Sequence, residues 1–182
     1  MLSLCGCGPA PWEHPPVEQV FLGQALPEQQ LLAGVNVVQT GDRNKPMLIF
    51  IHGSPGSWDG WIHYLADRTL QQQFHLVAVD RPGFGDSEGT VVPELALQAE
   101  RLKPVFELLT AGQKAILVGH SLGGPIALQM AAMYPDKVAG LLLIAASLDP
   151  ELEKPRWYNR LANSWVFSWA IPEAMLRSNE EM

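Results

Sequence analysis

The sequence predicts an α/β fold in which a mostly parallel sheet carries helices on both of its faces. Four short, nearly continuous apolar runs are typical of strands buried on both faces of a parallel sheet. These runs alternate with segments of helical periodicity, and each run ends at Gly, Asp, His or a small residue. The β-α-β-α-β-α-β order favours right-handed crossovers, and ligands of such open sheets bind beyond the carboxyl ends of the strands.

The predicted elements follow in order along the chain. The buried strands are predicted at residues 47–51, 74–79, 115–118 and 138–145, and the helices at 58–70, 93–110 and 122–134. Ahead of them, two apolar or alternating runs at 17–22 and 31–38 predict an opening antiparallel hairpin, which a turn at 41–46 follows.

Length and composition predict one domain, argue against nucleic-acid binding and predict no transmembrane helix. A chain of 182 residues with 47% hydrophobic content suits a single globular domain. The net charge of −7, without a cluster of Lys or Arg, argues against nucleic-acid binding. The longest apolar stretches are shorter than the ~20 residues that span a bilayer, so no transmembrane helix is predicted. We expect a tail at 1–16, a core at 17–149 and the start of a helical cap at 150–182.

Both cysteines lie near the N-terminus, where they cannot cross-link a core. Leu4-Cys5-Gly6-Cys7 resembles a bacterial lipobox, and a proline-rich tether follows it, although the basic and apolar parts of an export signal are missing. Two interpretations stay open. Cys7 carries a lipid that tethers the protein to the cell envelope, or the segment is a tail with two free thiols in a cytoplasmic protein.

The motif with the clearest chemistry is Gly-His-Ser-Leu-Gly at residues 119–123. It stands between a predicted strand and a predicted helix, which is the position of a nucleophile elbow. A serine hydroxyl needs exposure, a base and stabilisation of the oxyanion, and this turn exposes Ser121 at a helix N-terminus. The alternative is a glycine-rich helix start in which Ser121 is only the N-cap.

Two further motifs extend the pattern: Ile-His-Gly-Ser-Pro-Gly at residues 51–56 and Asp-Arg-Pro-Gly-Phe-Gly-Asp-Ser at residues 80–87. With the elbow they occur in the order and at the spacing of the α/β-hydrolase family. Over about residues 17–150 the sequence resembles the esterase, epoxide-hydrolase and haloperoxidase-like branch of that family.

The resemblance implies that Ser121 is the nucleophile and that the N–H groups of Ser54 and Leu122 form the oxyanion hole. It also implies that His52 and His120 shape the turns rather than act as the base. Residues 80–87 are expected to form a tight supporting turn. No cofactor and no metal ion are implied.

The family places an acid and then a histidine after the nucleophile, but no histidine follows Ser121 in this sequence. Asp149 is the candidate acid, and its alternative is a turn residue before Pro150. We therefore expect the N-terminal part of a longer hydrolase, cut within its cap and inactive on its own.

The leading hypothesis is a serine hydrolase that cleaves a small or medium-sized ester or similar acyl substrate. The aromatic residues of 157–169 would cover its pocket, or else pack between helices. A cofactor-free haloperoxidase or an acyltransferase would use the same serine, whereas an epoxide hydrolase usually has Asp at that position. The alternative from another class is a non-catalytic or membrane-tethered binding protein that keeps the fold. The oligomeric state is left open.

Overall fold

A computed structural model describes residues 15–148 of the chain. Within them, six strands form one sheet in the order β1-β2-β4-β3-β5-β6. The strands are β1 (Glu28–Leu32), β2 (Val35–Gly41), β3 (Met47–Ile51), β4 (His75–Val79), β5 (Ala115–His120) and β6 (Val138–Ile144). β2 pairs antiparallel with both β1 and β4, and the strands from β4 to β6 run parallel. The predicted fold class is confirmed.

Helices cover both faces of this sheet. They are α1 (Val17–Val20), α2 (Ile62–Leu65), which a 3₁₀ turn at Trp58–Trp61 precedes, α3 (Arg68–Gln73), α4 (Leu95–Leu109) and α5 (Gly123–Met133). Residues of the central strands alternate between two cores on opposite faces of the sheet. In β3, Ile49 and Ile51 pack with α4 and α5, while Phe50 packs with α1 and α2. This is the period of two that a strand buried on both faces requires.

The opening hairpin differs from its prediction at both strands. Residues 17–20 form a helical turn, whose Val17 and Val20 pack on the same core as α2. The predicted strand 31–38 holds the hairpin turn itself, because Ala33 and Gly34 have φ values of +50° and +80° and reverse the chain. Such positive φ values at two successive positions are those of a tight hairpin turn.

Two other elements depart from the expected pattern. The predicted helix 58–70 is broken into three short pieces. The last, α3, is capped by Asp67, whose carboxylate accepts hydrogen bonds from the N–H groups of Thr69 and Leu70. β6 was expected to be buried on both faces, but it lies at the edge of the described sheet, and Leu142 is 53% exposed.

The strand order produces a switch point at the carboxyl edge of the sheet. From β3 the chain passes to β4 on one side, and from β5 it passes to β6 on the other side. A crevice forms where the connections of two adjacent parallel strands diverge in this way, and ligands bind there. The loop after β3 and the turn after β5 therefore meet at the switch point of the sheet.

Candidate active site

Ser121 lies on the turn between β5 and α5 with a φ of +50°, which L-residues rarely adopt. Such a conformation costs about 1–3 kcal/mol and persists only where the surroundings enforce it. Here the Ser121 N–H donates to the Ile144 carbonyl over 3.0 Å, and the Ser121 carbonyl accepts from the N–H groups of Gly124 and Ser147. The end of β6 and the first turn of α5 thus hold the residue in place.

The loop after β3 packs directly against this turn. At Gly123, a Cβ atom would lie 2.7 Å from the His52 carbonyl oxygen and closer still to that of Ile51. At Gly53, a Cβ atom would lie 2.9 Å from the Cβ of Ser121. Both positions lack the space for a side chain, so the two backbones approach as closely as glycine permits.

The two predicted oxyanion donors lie on these two segments. Leu122 is the N-cap of α5, and the first N–H groups of a helix have no intrahelical acceptor. Ser54 follows Gly53, which contacts Ser121. The structure thus brings the segments of Ser121, Ser54 and Leu122 to one end of the sheet, while the catalytic roles of the three residues stay predictions.

His52 is buried and uses both ring nitrogens within the fold. Its Nε2 accepts a hydrogen bond from the Arg81 N–H at 3.0 Å, so Nδ1 carries the proton and donates to the Gly53 carbonyl at 2.7 Å. Burial, together with the nearby Arg81 guanidinium, lowers the pKa of His52 to about 3. A neutral ring with both nitrogens engaged holds the loop and has no free lone pair to act as a base.

Arg81 is fully buried beside this histidine. Its Nη1 donates to the Gln98 side-chain oxygen on α4 at 2.5 Å, and its Nη2 donates to the Gly53 carbonyl at 3.0 Å. The guanidinium also stacks over the Phe84 ring at 4.0 Å, where a cation–π contact is favourable. Arg81 therefore connects the turn after β4 to α4 and to the loop after β3.

Asp80 connects the loops that follow β3 and β4. Its carboxylate accepts hydrogen bonds from the Trp58 N–H, the Asp86 N–H and the Asn36 side-chain amide. Burial raises the pKa of Asp80, and these three hydrogen bonds oppose that rise. Residues 80–87 form the supporting turn that the sequence predicts, with Gly83 and Gly85 at positive φ.

A cavity of about 380 Å³ opens beside the elbow. Two aromatic side chains, Trp61 and Tyr64, form part of its wall with their ring centroids 5.6 Å apart, and the ring centroids of Trp61 and His120 lie 6.2 Å apart at an interplanar angle of 88°. His120 is exposed, whereas His52 is buried, and both residues border this cavity. The lining residues are His52, Gly53, Pro55, Gly56, Ser57, Gly60, Trp61, Tyr64, His120 and Ile144.

Sequence reasoning missed Gln98 and Tyr64. Gln98 stands in the apolar stripe of α4, between Leu95 and Leu102, and a polar residue in such a stripe is a signal of a buried partner. Tyr64 falls on a short helix whose bounds the sequence did not reveal. Asp149, Cys7 and the aromatic stretch 157–169 lie outside the described residues.

Residues 15–148 contain neither a cluster of metal-binding side chains nor a helix that could span a membrane. No group of three or more His, Cys, Asp or Glu side chains in this part of the chain is placed to hold a metal ion. The helices found there are too short or too polar to cross a membrane.

Comparison with known proteins gives one family and several relatives. The family model for the alpha/beta hydrolase fold matches residues 46–170. Epoxide hydrolase 4 of Mus musculus is 33% identical over 110 residues, which are 59% of this chain and 30% of that protein. Epoxide hydrolase 1 of Caenorhabditis elegans is 33% identical over 160 residues, which are 81% of this chain and 38% of that protein.

Among solved structures, a membrane phospholipase A described as a bacterial virulence factor superposes with a TM-score of 0.64 at 28% identity. The match covers 83% of this chain and 49% of that one. The chain thus spans about a third of the length of the two epoxide hydrolases and about half of the phospholipase.

Proposed function

Because the chain belongs to the α/β-hydrolase fold family, we propose that the protein is a serine hydrolase that cleaves an ester or similar acyl bond through an acyl-enzyme on Ser121. The observation that carries the proposal is the strained turn between β5 and α5, which has Ser121 at a φ of +50°. A nucleophile elbow has this strand-turn-helix arrangement. The chain spans about a third of the curated relatives it matches, so the activity is proposed for the whole protein.

In the proposed reaction, the Ser121 Oγ attacks the carbonyl carbon of the ester while a general base takes the hydroxyl proton. The tetrahedral intermediate collapses, the alcohol leaves with a proton, and the acyl group stays on Ser121. Water then attacks the acyl-enzyme and releases the acid, so ester and water give acid and alcohol. The family resemblance assigns the base to a histidine after Ser121 in chain order and offers Asp149 as the acid.

The negative charge of the tetrahedral intermediate would fall on the oxygen between the loop after β3 and the first turn of α5. We assign its hydrogen bonds to the N–H groups of Ser54 and Leu122, and the positive end of the α5 dipole adds to them. The contact between Gly53 and Ser121 supports this assignment, because it keeps the two donor segments together.

The cavity beside the elbow supports an apolar acyl or alcohol group in the substrate. Its volume of about 380 Å³ lies within the range of small-molecule sites, and Trp61 and Tyr64 supply an apolar wall. A cavity of this size suits a short or medium chain or one aromatic ring.

The epoxide hydrolases among the relatives make epoxide hydrolysis the second candidate function. The residue at the nucleophile position argues against it, because an aspartate that opens an epoxide forms an ester, which water can cleave at a carbonyl. Attack by the Ser121 hydroxyl would form an ether, which has no carbonyl and would block the enzyme. Ser121 therefore favours acyl substrates.

Labelling with a fluorophosphonate probe tests the proposal, together with turnover of p-nitrophenyl butyrate and of styrene oxide by the full-length gene product. We expect labelling and ester turnover that Ser121→Ala abolishes. The matched control Ser147→Ala keeps the backbone N–H that binds the Ser121 carbonyl and should keep both activities. A folded protein that hydrolyses styrene oxide but no ester would favour the second candidate. One that does neither would favour a non-catalytic binding role.

A further inference from the structure

We propose that Arg81 is a positioning residue for the oxyanion hole, which it holds in place through the carbonyl group of Gly53. This inference rests on the proposed function and extends it to a residue of the turn after β4. No direct contact between Arg81 and a substrate is implied.

The peptide between Gly53 and Ser54 is held through its carbonyl group. Its carbonyl oxygen accepts two hydrogen bonds, one from Arg81 Nη2 at 3.0 Å and one from His52 Nδ1 at 2.7 Å. Two donors from different directions fix the plane of the peptide. In a planar trans peptide the N–H points away from the carbonyl oxygen, so this plane also fixes the direction of the Ser54 N–H.

Three contacts hold Arg81 itself in place. Gln98 on α4 accepts a hydrogen bond from Nη1, the Phe84 ring lies under the guanidinium, and the Arg81 N–H donates to Nε2 of His52. The last bond sets the tautomer in which His52 Nδ1 carries a proton for Gly53. Arg81 thus acts on the Gly53 carbonyl twice, directly and through His52.

The peptide between Gly53 and Ser54 lies beside Ser121. Gly53 approaches Ser121 so closely that a Cβ on it would lie 2.9 Å from the Cβ of Ser121. A small rotation of the Gly53–Ser54 peptide would move the Ser54 N–H relative to the reacting carbonyl. A misplacement of about 1 Å at a reacting centre can cost about 10²-fold in rate.

Steady-state kinetics with p-nitrophenyl butyrate tests the inference on the full-length gene product. For Arg81→Met we expect kcat to fall about 10–100-fold with KM within about twofold, because an oxyanion contact forms only in the transition state. The affinity for an alkyl boronic acid, which adds to the serine as a transition-state analogue, should fall by the same factor. Arg81→Lys retains one charged donor and should recover part of the loss.

Thr110→Val is the control for loss of stability alone. Thr110 is buried at the far end of α4, where its hydroxyl donates to the Phe106 carbonyl, and it has no part in the site. Gln98→Leu, which removes the acceptor of Arg81 Nη1, provides a second test if Arg81→Met does not fold, and it should lower kcat in the same way.

The outcomes separate the two proposals. If turnover depends on Ser121 but Arg81→Met and Gln98→Leu lower kcat no more than Thr110→Val does, this inference alone is overturned. Ester turnover that survives in Ser121→Ala, or that is missing from the folded protein, overturns the proposed function and this inference with it. A selective loss of kcat and of boronate affinity supports both.

Discussion

Alanine at Gly123 would place a methyl group where the first turn of α5 meets the end of β3. That methyl carbon would lie 2.7 Å from the His52 carbonyl oxygen and closer still to that of Ile51, and real Cβ atoms essentially never come within 3.0 Å of another atom. Both neighbours are backbone atoms of or beside a central strand, so neither can swing aside. Helix α5 must therefore move away from β3.

The cost of this substitution should be near the upper end of the usual range for overpacking. That range is about 1–3 kcal/mol, and the rigid backbone on one side of the contact argues for about 3 kcal/mol. For a domain of this size, such a loss lowers Tm by roughly 6–12 °C, at about 2–4 °C per kcal/mol. The same shift would separate Ser121 from Gly53, so fluorophosphonate labelling should fall as well.

The assay compares the thermal unfolding of Gly123→Ala with that of the control variant Gly140→Ala. Gly140 lies in β6, and a Cβ on it would meet no atom within 4 Å. This control should be neutral or stabilising by about 0.5–1 kcal/mol, since alanine is less flexible than glycine in the unfolded chain. The packing argument is wrong if the two variants unfold at the same temperature.

Three further outcomes are expected. Ser121→Gly should lose all probe labelling yet raise Tm, because glycine adopts a φ of +50° without strain; a lower Tm would contradict the strain. The folded pKa of His52 is about 3 against 6.5 when unfolded, so the unfolded chain binds the extra proton between these values. Stability should therefore fall as pH drops below 6.5, by up to about 1.4 kcal/mol per pH unit from this group. His52→Asn should weaken the pH dependence of the unfolding free energy, measured in urea, between pH 6.5 and 4. Equal pH dependence in the variant and the parent protein would refute the lowered pKa of His52. Tyr64→Ala, which enlarges the cavity, should raise the kcat/KM ratio of octanoate to acetate esters about 10-fold. Leu108→Ala, an exposed change on α4, should leave that ratio unchanged, and an equal effect of both would exclude Tyr64 from the site.

The sequence predicted the central strands because each is a run of apolar residues that the sheet buries on both faces. β3, β4 and β5 lie within one or two residues of their predicted bounds. The strand-turn-helix arrangement of residues 115–133 was equally predictable, because glycine stands where strand and helix backbones come close together, as at Gly123.

The N-terminal hairpin could not be predicted in the same way. Its turn uses Ala33 and Gly34, and alanine rarely takes a φ of +50°, so the run from 31 to 38 resembled one strand. The apolar spacing of Val17 and Val20 fits a helical turn as well as a strand end. For segments this short, tertiary packing decides the conformation.

The buried polar network depended on contacts that no local pattern contains. Arg81 and Gln98 are 17 residues apart, and the Gly53 carbonyl that Arg81 binds is 28 residues away. The motifs at 51–56 and 80–87 contain Gly53 and Arg81 but did not reveal the hydrogen bond between them, and Gln98 lies in neither motif.

The cavity beside the elbow has a consequence for how the protein can change over evolution. Most of its wall comes from residues 55–64, which run from the loop after β3 into α2, whereas Ser121 belongs to the turn after β5. Substitutions at Tyr64, which is 47% exposed, can reshape the cavity without disturbing the packed glycines around the serine. In the proposed hydrolase, the residues that would select the substrate therefore lie on one segment of the chain, and the proposed nucleophile lies on another.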